Sequence, residues 1–316
     1  MVQFAILIPF FSSFSITAFA QNSTLINPYT RFSNLSLSLP ISDYPSLQSV
    51  FTTPPDCGEN SYVGRGRLRG RRALITGGDS GIGRAIAIAY AREGARIAIN
   101  YLPAEEEDAQ SLEDVLSRDR LSVVRIPGNL LNETFCAELV GQAHERLGGL
   151  DILVNNAAYG GYQTGPNLRL IHNQTTEEWD TVFLFGSFFT TRAAVPLLPP
   201  GSSLIYTASN VARLPPQNAV PYAASKAAIV SMIRSLSNQL APQGIRVNGV
   251  APGLTYSPFL AAVGMTTEDV TTNIRSPMGR IEQPVELSPV YVDLAEASKT
   301  YVTGHIWGDA GGQFGF

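Results

Sequence analysis

The sequence is poor in metal-binding and cross-linking side chains, with two cysteines and three histidines in 316 residues. Two cysteines cannot build a disulfide framework or a four-thiolate zinc site. No Cys-x-x-Cys or His-x-x-x-His spacing occurs, so no metal site is expected. Charge is also sparse, at 15% of residues. The 22 basic and 26 acidic side chains leave a net charge of −4. Without a basic excess, nucleic acid is not an expected partner. The hydrophobic share of 44% allows a large core. Glycine is abundant, with 28 residues, and many fall at informative places.

Residues 4–20 carry no charge and end in Ala18-Phe19-Ala20, a small-x-small triplet. Residues 1–20 therefore read as a secretory signal, although the first residues lack Lys or Arg. The run is short and Ser-rich for a membrane span, so no membrane association is expected of the mature form. If the leader is used, the chain enters the secretory pathway; otherwise it is cytoplasmic. Asn22, Asn34, Asn132 and Asn173 head glycosylation sequons, which lend weak support to the first course. Residues 21–67 form an extended N-terminal segment without sustained periodicity, read as laid over a neighbouring surface. Arg65, Arg67, Arg69, Arg71 and Arg72 read as a solvated approach to a buried strand rather than a nucleic-acid patch.

From residue 68 to 316, short apolar runs alternate with amphipathic stretches. Runs at 73–76, 96–100, 122–126, 151–155, 203–207 and 245–250 read as strands. Stretches at 82–92, 105–116, 133–147, 177–197 and 222–240 read as helices. Such alternation means right-handed βαβ units and a parallel sheet. The expected fold is α/β, a single doubly wound Rossmann domain with a sheet of about seven strands over about 250 residues.

Thr76-Gly-Gly-Asp-Ser-Gly-Ile-Gly83 joins the first strand to the first helix. Gly77 permits a tight turn, Gly81 lets backbone approach a pyrophosphate, and Gly83 lets helix and strand pack closely. Ser80, Ile82 and the helix N-terminus complete an anion-binding turn. A dinucleotide cofactor is expected. The second strand ends in Asn100-Tyr101 rather than an acid, so nothing there repels a 2′-phosphate. Arg84 or another basic group is available to assist it. The reading favours NADP, with NAD the alternative. Asn129, after the third strand, is placed to meet the adenine edge.

Tyr222-Ala-Ala-Ser-Lys226 puts Tyr222 and Lys226 on one helix face. An ammonium there favours the tyrosinate. Such a tyrosine can give a proton to a carbonyl oxygen or remove one from an alcohol. Ser209 lies thirteen residues earlier, just past a strand end, on the side where open α/β sheets bind ligands.

In this order, the glycine turn, Asn155-Asn-Ala-Ala158, Ser209, Tyr222-x-x-x-Lys226 and Arg246-Val-Asn-Gly-Val-Ala-Pro-Gly253 resemble the short-chain dehydrogenase/reductase family. The likeness covers residues 56–316. It is closest to a subgroup described as glucose/ribitol dehydrogenase homologues and NAD(P)-dependent oxidoreductases. It implies carbonyl–alcohol interconversion on a small organic substrate. Ser209, Tyr222 and Lys226 would be catalytic. Asn155, Ala157, Pro252, Gly253 and Thr255 would border the cofactor, and a homo-tetramer or homo-dimer is implied. Substrate specificity would lie in 159–173 and 255–276.

Two departures stand out. Asn129 replaces the family's usual Asp. The family's catalytic Asn, in a run like W-D-x-x-F-x-x-N-L-x-G, has no counterpart, because Trp179-Asp-Thr-Val-Phe183 passes directly to Leu184-Phe-Gly-Ser. Three residues are missing. Such a loss rotates the rest of a helix by about 300° and shortens it by roughly 4.5 Å. The alternative reading is therefore a catalytically impaired dinucleotide-binding homologue that acts as a sensor or scaffold. Cys57 and Cys136 are read as unpaired, and the three histidines as surface or loop residues.

Overall fold

The computed structural model describes residues 25–42, 44–160, 171–182, 185–272, 274 and 276–313, with Asn173 and Glu178 described in backbone only. The leader, Asn22, residues 161–170 and the junction at Phe183-Leu184 lie outside the described residues.

Among the described residues, seven strands form one sheet in the order β3-β2-β1-β4-β5-β6-β7. They are β1 (Arg72–Thr76), β2 (Arg96–Tyr101), β3 (Val123–Pro127), β4 (Ile152–Asn155), β5 (Ser203–Thr207), β6 (Arg246–Pro252) and β7 (Ile306–Asp309). All pairings are parallel. The strands are apolar on both faces because helices cover both. Ala73 and Ile75 of β1 face a layer built from α1 (Gly81–Arg92), α2 (Glu106–Arg118) and α9 (Pro284–Ala295). Leu74 points the other way, into a layer of α3 (Glu133–Leu147), α5 (Phe185–Ala194) and α6 (Val220–Leu240).

Local chemistry sets the helix ends. Asn132 caps α3 by accepting the Phe135 amide at 3.1 Å, and Gly148 ends it at φ 73°. One sequon is thus engaged as a cap. The stretch expected as one helix over 177–197 is described as α4 (Thr176–Val182) and α5. Two further short helices follow β6, α7 (Pro258–Ala262) and α8 (Thr267–Thr272).

The sequence reading missed α9, because Pro284 and Pro289 look like breakers. Pro284 stands in the first turn, where no amide is needed. Pro289 cannot donate to the Val285 carbonyl, and the Ser288 hydroxyl donates to it instead at 3.0 Å. The helix packs on α1, where the buried Tyr90 donates its hydroxyl to the Tyr291 carbonyl at 2.9 Å.

The N-terminal segment docks on the sheet's ligand end. Leu39 and Phe51 are buried with Tyr256 and Leu260. The amides of Gln48 and Ser49 donate to the Asp108 carboxylate. The arginine run ties this segment to the fold. Arg67 pairs with Asp293 of α9 and with Glu296 just past its end, and Arg72 with Asp151. Cys57 and Cys136 are both free and buried.

Candidate active site

The strand order reverses between β1 and β4, and a crevice opens there beyond the strand ends. Thr76 closes β1 with a buried hydroxyl that accepts the amides of Asn156 at 3.0 Å and Ala157 at 3.1 Å. The Asn156 side-chain amide donates to the carbonyls of Thr76 and Gly77, each at 3.1 Å. Its oxygen accepts the Thr207 hydroxyl at 3.1 Å. One asparagine therefore ties the ends of β1, β4 and β5.

The glycine turn begins at Gly77, with φ 60°. A Cβ on Gly83 would stand 1.7 Å from the Gly77 carbonyl oxygen, so only glycine lets α1 begin so close to β1. The first turn of α1 carries no acid, and Ser80 makes no side-chain cap. Its positive end faces the crevice. The Gly81 amide is already engaged by Gln48 of the N-terminal segment, at 2.9 Å.

The crevice is a cleft of about 410 Å³. Gly77, Ser80, Gly81 and Ile82 line it from the turn, and Ala157 from beyond β4. Ser209 lines it from beyond β5, Tyr222 and Lys226 from α6, Pro252 from the end of β6, and Gly253 and Thr255 from beyond it. Gly83 lies behind the turn. Asn155 is turned away: its buried side chain donates to Thr191 at 3.1 Å and accepts from Thr190 at 2.7 Å. Asn156 lines the cleft instead.

Lys226 is buried on α6, and its ammonium donates to the Thr207 carbonyl at 2.7 Å. Burial brings its pKa down to about 8. Its nitrogen lies 5.5 Å from the Tyr222 ring centre. Tyr222 is nearly buried, with its ring 5.5 Å from that of Phe259. Ser209 accepts the Val211 amide at 3.3 Å and opens the turn after β5. Phe259, Val182 and Val211 supply an apolar wall beside Tyr222.

The comparisons with known proteins bear on this arrangement. Residues 77–313 match the family described as Enoyl-(Acyl carrier protein) reductase. The chain is 44% identical to the uncharacterized oxidoreductase YghA of Escherichia coli, over 85% of this chain and 91% of that one. It is 37% identical to glucose and ribitol dehydrogenase homolog 2 of Arabidopsis thaliana, over 85% and 94%. The chain belongs to the short-chain dehydrogenase/reductase family. Among solved members, a short-chain dehydrogenase from Burkholderia cenocepacia in complex with NADP superposes with a TM-score of 0.70 at 29% identity, covering 78% of this chain and 98% of that one. The chain is an oxidoreductase of this family, whose cofactor is a nicotinamide dinucleotide and whose substrates are small molecules. The glycine turn, the open helix end and the cleft past the strand ends fit such a group.

Asn100, Tyr101 and Asn129 line the end of the cleft beyond β2 and β3. The Asn100 side-chain NH2 and the Tyr101 hydroxyl are engaged within the protein. Asn100 donates to the carbonyls of Ile126 and Gly128, at 3.2 and 3.0 Å. Tyr101 donates to Glu106 at 2.7 Å. Asn129 accepts the Leu131 amide at 2.9 Å. Arg84 does not reach the cleft. It is buried behind the turn and pairs with Glu59 at 2.8 Å.

Two acids reach this end, one inside the turn and one from the acidic run after β2, which the sequence reading placed too late to end the strand. Asp79, inside the turn, and Glu105, after β2, both line the cleft. Burial pushes both carboxyls up, and Glu105 pushes Asp79 further. Tyr44, Pro45 and Ser46 of the N-terminal segment line the same cleft. The sequence signals were the acid within the turn and the acidic run at 105–108, while nothing marked the N-terminal segment.

Proposed function

We propose that this protein interconverts a carbonyl and an alcohol on a small organic substrate, using NAD(P)(H), with Tyr222 as the general acid and base. The observation that carries the reading is the convergence of Ser209, Tyr222 and Lys226 on the cleft that the glycine turn opens. Bound nicotinamide dinucleotide supplies or accepts the hydride. Ser209 donates a hydrogen bond to the substrate oxygen and orients it. Tyr222 gives that oxygen a proton in reduction and takes one back in oxidation. The Lys226 ammonium stabilises the tyrosinate in between. Phe259, Val182 and Val211 exclude water from the reacting side, which favours an aldehyde or ketone with an apolar substituent.

The absence of an acid at the end of β2 supports NADP, whereas Asp79 and Glu105 weigh toward an unphosphorylated ribose. The test is oxidation of NADH and NADPH with a panel of aldehydes, sugars and quinones. A Tyr222→Phe variant that turns over the panel as fast as wild type would sink the proposal.

A second reading follows from the missing asparagine in the run from Trp179 to Thr190. In it, the protein binds the dinucleotide without turnover and serves as a sensor or scaffold. Cofactor binding with no turnover on any substrate, and turnover restored by reinserting three residues after Phe183, would favour it.

A further inference from the structure

Four aromatic rings line the cleft, those of Tyr44, Tyr159, Tyr222 and Phe259. Tyr159 follows β4, Tyr222 stands on α6 and Phe259 on α7. Tyr44 comes instead from the N-terminal segment, ahead of the residues 77–313 that match the family. Its ring meets the Tyr159 ring edge-on, with centroids 4.7 Å apart and planes at 80°. Tyr159 and Phe259 in turn pack on the buried cluster of Val182, Ala219 and Tyr222. An aromatic wall therefore runs from Tyr222 to the N-terminal segment.

The segment is pinned on either side of Tyr44. Before it, the Ser38 carbonyl accepts the buried Tyr256 hydroxyl at 2.9 Å, and the Leu39 amide donates to Thr267 at 3.0 Å. After it, Gln48 accepts the Gly81 amide, and the amides of Gln48 and Ser49 donate to Asp108. Tyr44 thus sits at the middle of a span between the loop region after β6 and the glycine turn. Tyr159 is held by its neighbour Gly160, where a Cβ would stand 2.0 Å from Val263 Cγ1.

The wall selects by its chemistry. An aromatic ring placed against it gains edge-to-face or offset contacts beyond the burial of its surface. A polyhydroxylated chain would leave hydroxyls unpaired against Val182, Val211 and Phe259. Tyr44 serves as a ring and not as a base: partial burial, with Glu105, Tyr159 and Asp79 nearby, pushes its pKa up to about 12. At 47% exposed, it keeps open ring surface at the cleft.

We propose that Tyr44 and Tyr159 form a specificity subsite for the ring of an aromatic aldehyde or ketone whose carbonyl lies toward Tyr222. The inference rests on the reading that Tyr222 is the general acid and base for a carbonyl substrate, and it narrows that substrate to an aryl carbonyl. It also assigns half of the subsite to the segment that precedes the family's fold.

The test is steady-state reduction of benzaldehyde, cyclohexanecarbaldehyde, hexanal and glucose by the full-length chain with NADH and NADPH. Wild type is expected to favour benzaldehyde over glucose by about 100-fold in kcat/KM, as suits two hydroxyls left unpaired. Tyr44→Leu keeps apolar surface and removes the ring. It is expected to lower kcat/KM for benzaldehyde about 5- to 10-fold more than for cyclohexanecarbaldehyde or hexanal, with the loss in KM. Tyr44→Phe, which keeps the ring, is expected to retain the wild-type ratios. A Tyr44→Leu loss that falls equally on the three aldehydes, or on nucleotide affinity in calorimetry, would overturn this inference alone, as would a wild type that reduces glucose as well as benzaldehyde. A wild type that binds nucleotide and reduces none of the four would overturn it together with the reading beneath it. Should Tyr44→Leu fail to fold by circular dichroism, Tyr159→Leu decides on the same ratios.

Discussion

The Lys226 ammonium donates to the Thr207 carbonyl at 2.7 Å, and so fastens α6 to the end of β5 two residues before Ser209. One buried cation thus sets the distance between the strand that carries the serine and the helix that carries the tyrosine.

Removing the tyrosine hydroxyl separates chemistry from binding. Tyr222→Phe is expected to lower kcat by about 10²–10⁴-fold. Dinucleotide affinity should change little. Steady-state kinetics and calorimetry on the same preparation check both halves.

Burial lowers the Lys226 pKa to about 8, so its positive charge is lost as pH rises through that value. Carbonyl reduction needs the charge. The pH profile of kcat/KM is therefore expected to fall on its alkaline side near that pH. Lys226→Arg keeps the charge and should move the fall to higher pH, whatever it does to the maximal rate.

Asn156 holds three strand ends together through its bonds to Thr76, Gly77 and Thr207. Asn156→Ala leaves those groups without their partner. The expected loss of stability is about 1–3 kcal/mol, read as a lower urea midpoint, with weaker dinucleotide binding.

Two glycines should respond in opposite ways to the same change. Gly83→Ala drives a methyl into the Gly77 carbonyl and is expected to cost more than about 3 kcal/mol, or to prevent folding. Gly141 lies inside α3 with nothing within 4 Å of an added Cβ. Gly141→Ala is expected to stabilise by about 0.5–1 kcal/mol. Thermal unfolding of both variants decides.

Burial pushes the Asp151 carboxyl up, but its bonds to Arg72 outweigh this and hold it below the usual carboxylate range. The native state therefore binds the proton less readily than the unfolded chain does. The stabilisation is present above the unfolded carboxylate range and is lost as pH falls through the lowered value. Asp151→Asn should destabilise at pH 7 by about 1–3 kcal/mol. The gap to wild type should close in acid, as measured by denaturant unfolding across pH.

The parallel sheet was readable because its strands are continuous apolar runs between amphipathic helices. The expected strands from 73–76 to 203–207 match β1 to β5 within one residue at either end. The turn and the Tyr222–Lys226 pair were readable because each depends on spacing within one element. Most of what could not be read depends on contacts distant in sequence, and α9 is the local exception. Helix α9 was hidden by prolines whose carbonyl partner is supplied by a neighbouring serine. Asn155 and Asn156 are adjacent, and which of them faces the cleft depends on the end of β4. Ser46 gives no signal in sequence, since nothing local brings it to a turn over thirty residues away. Arg84 looked available to a phosphate because its partner Glu59 lies in the segment that precedes the fold.

Thr76 and Asn156 are 80 residues apart in sequence, yet their contact closes the cleft. During synthesis, β1, α1, β2, α2 and β3 all emerge before β4, and half of the sheet can form with the glycine turn already shaped. Its open edge on β1 has no partner until β4 arrives, and the end of the turn has no asparagine to hold it. Closing so long a loop is slow relative to local structure. A nascent chain that stops at β3 therefore carries the phosphate-binding motif without a pocket, and the ligand can stabilise only chains in which the second half has docked.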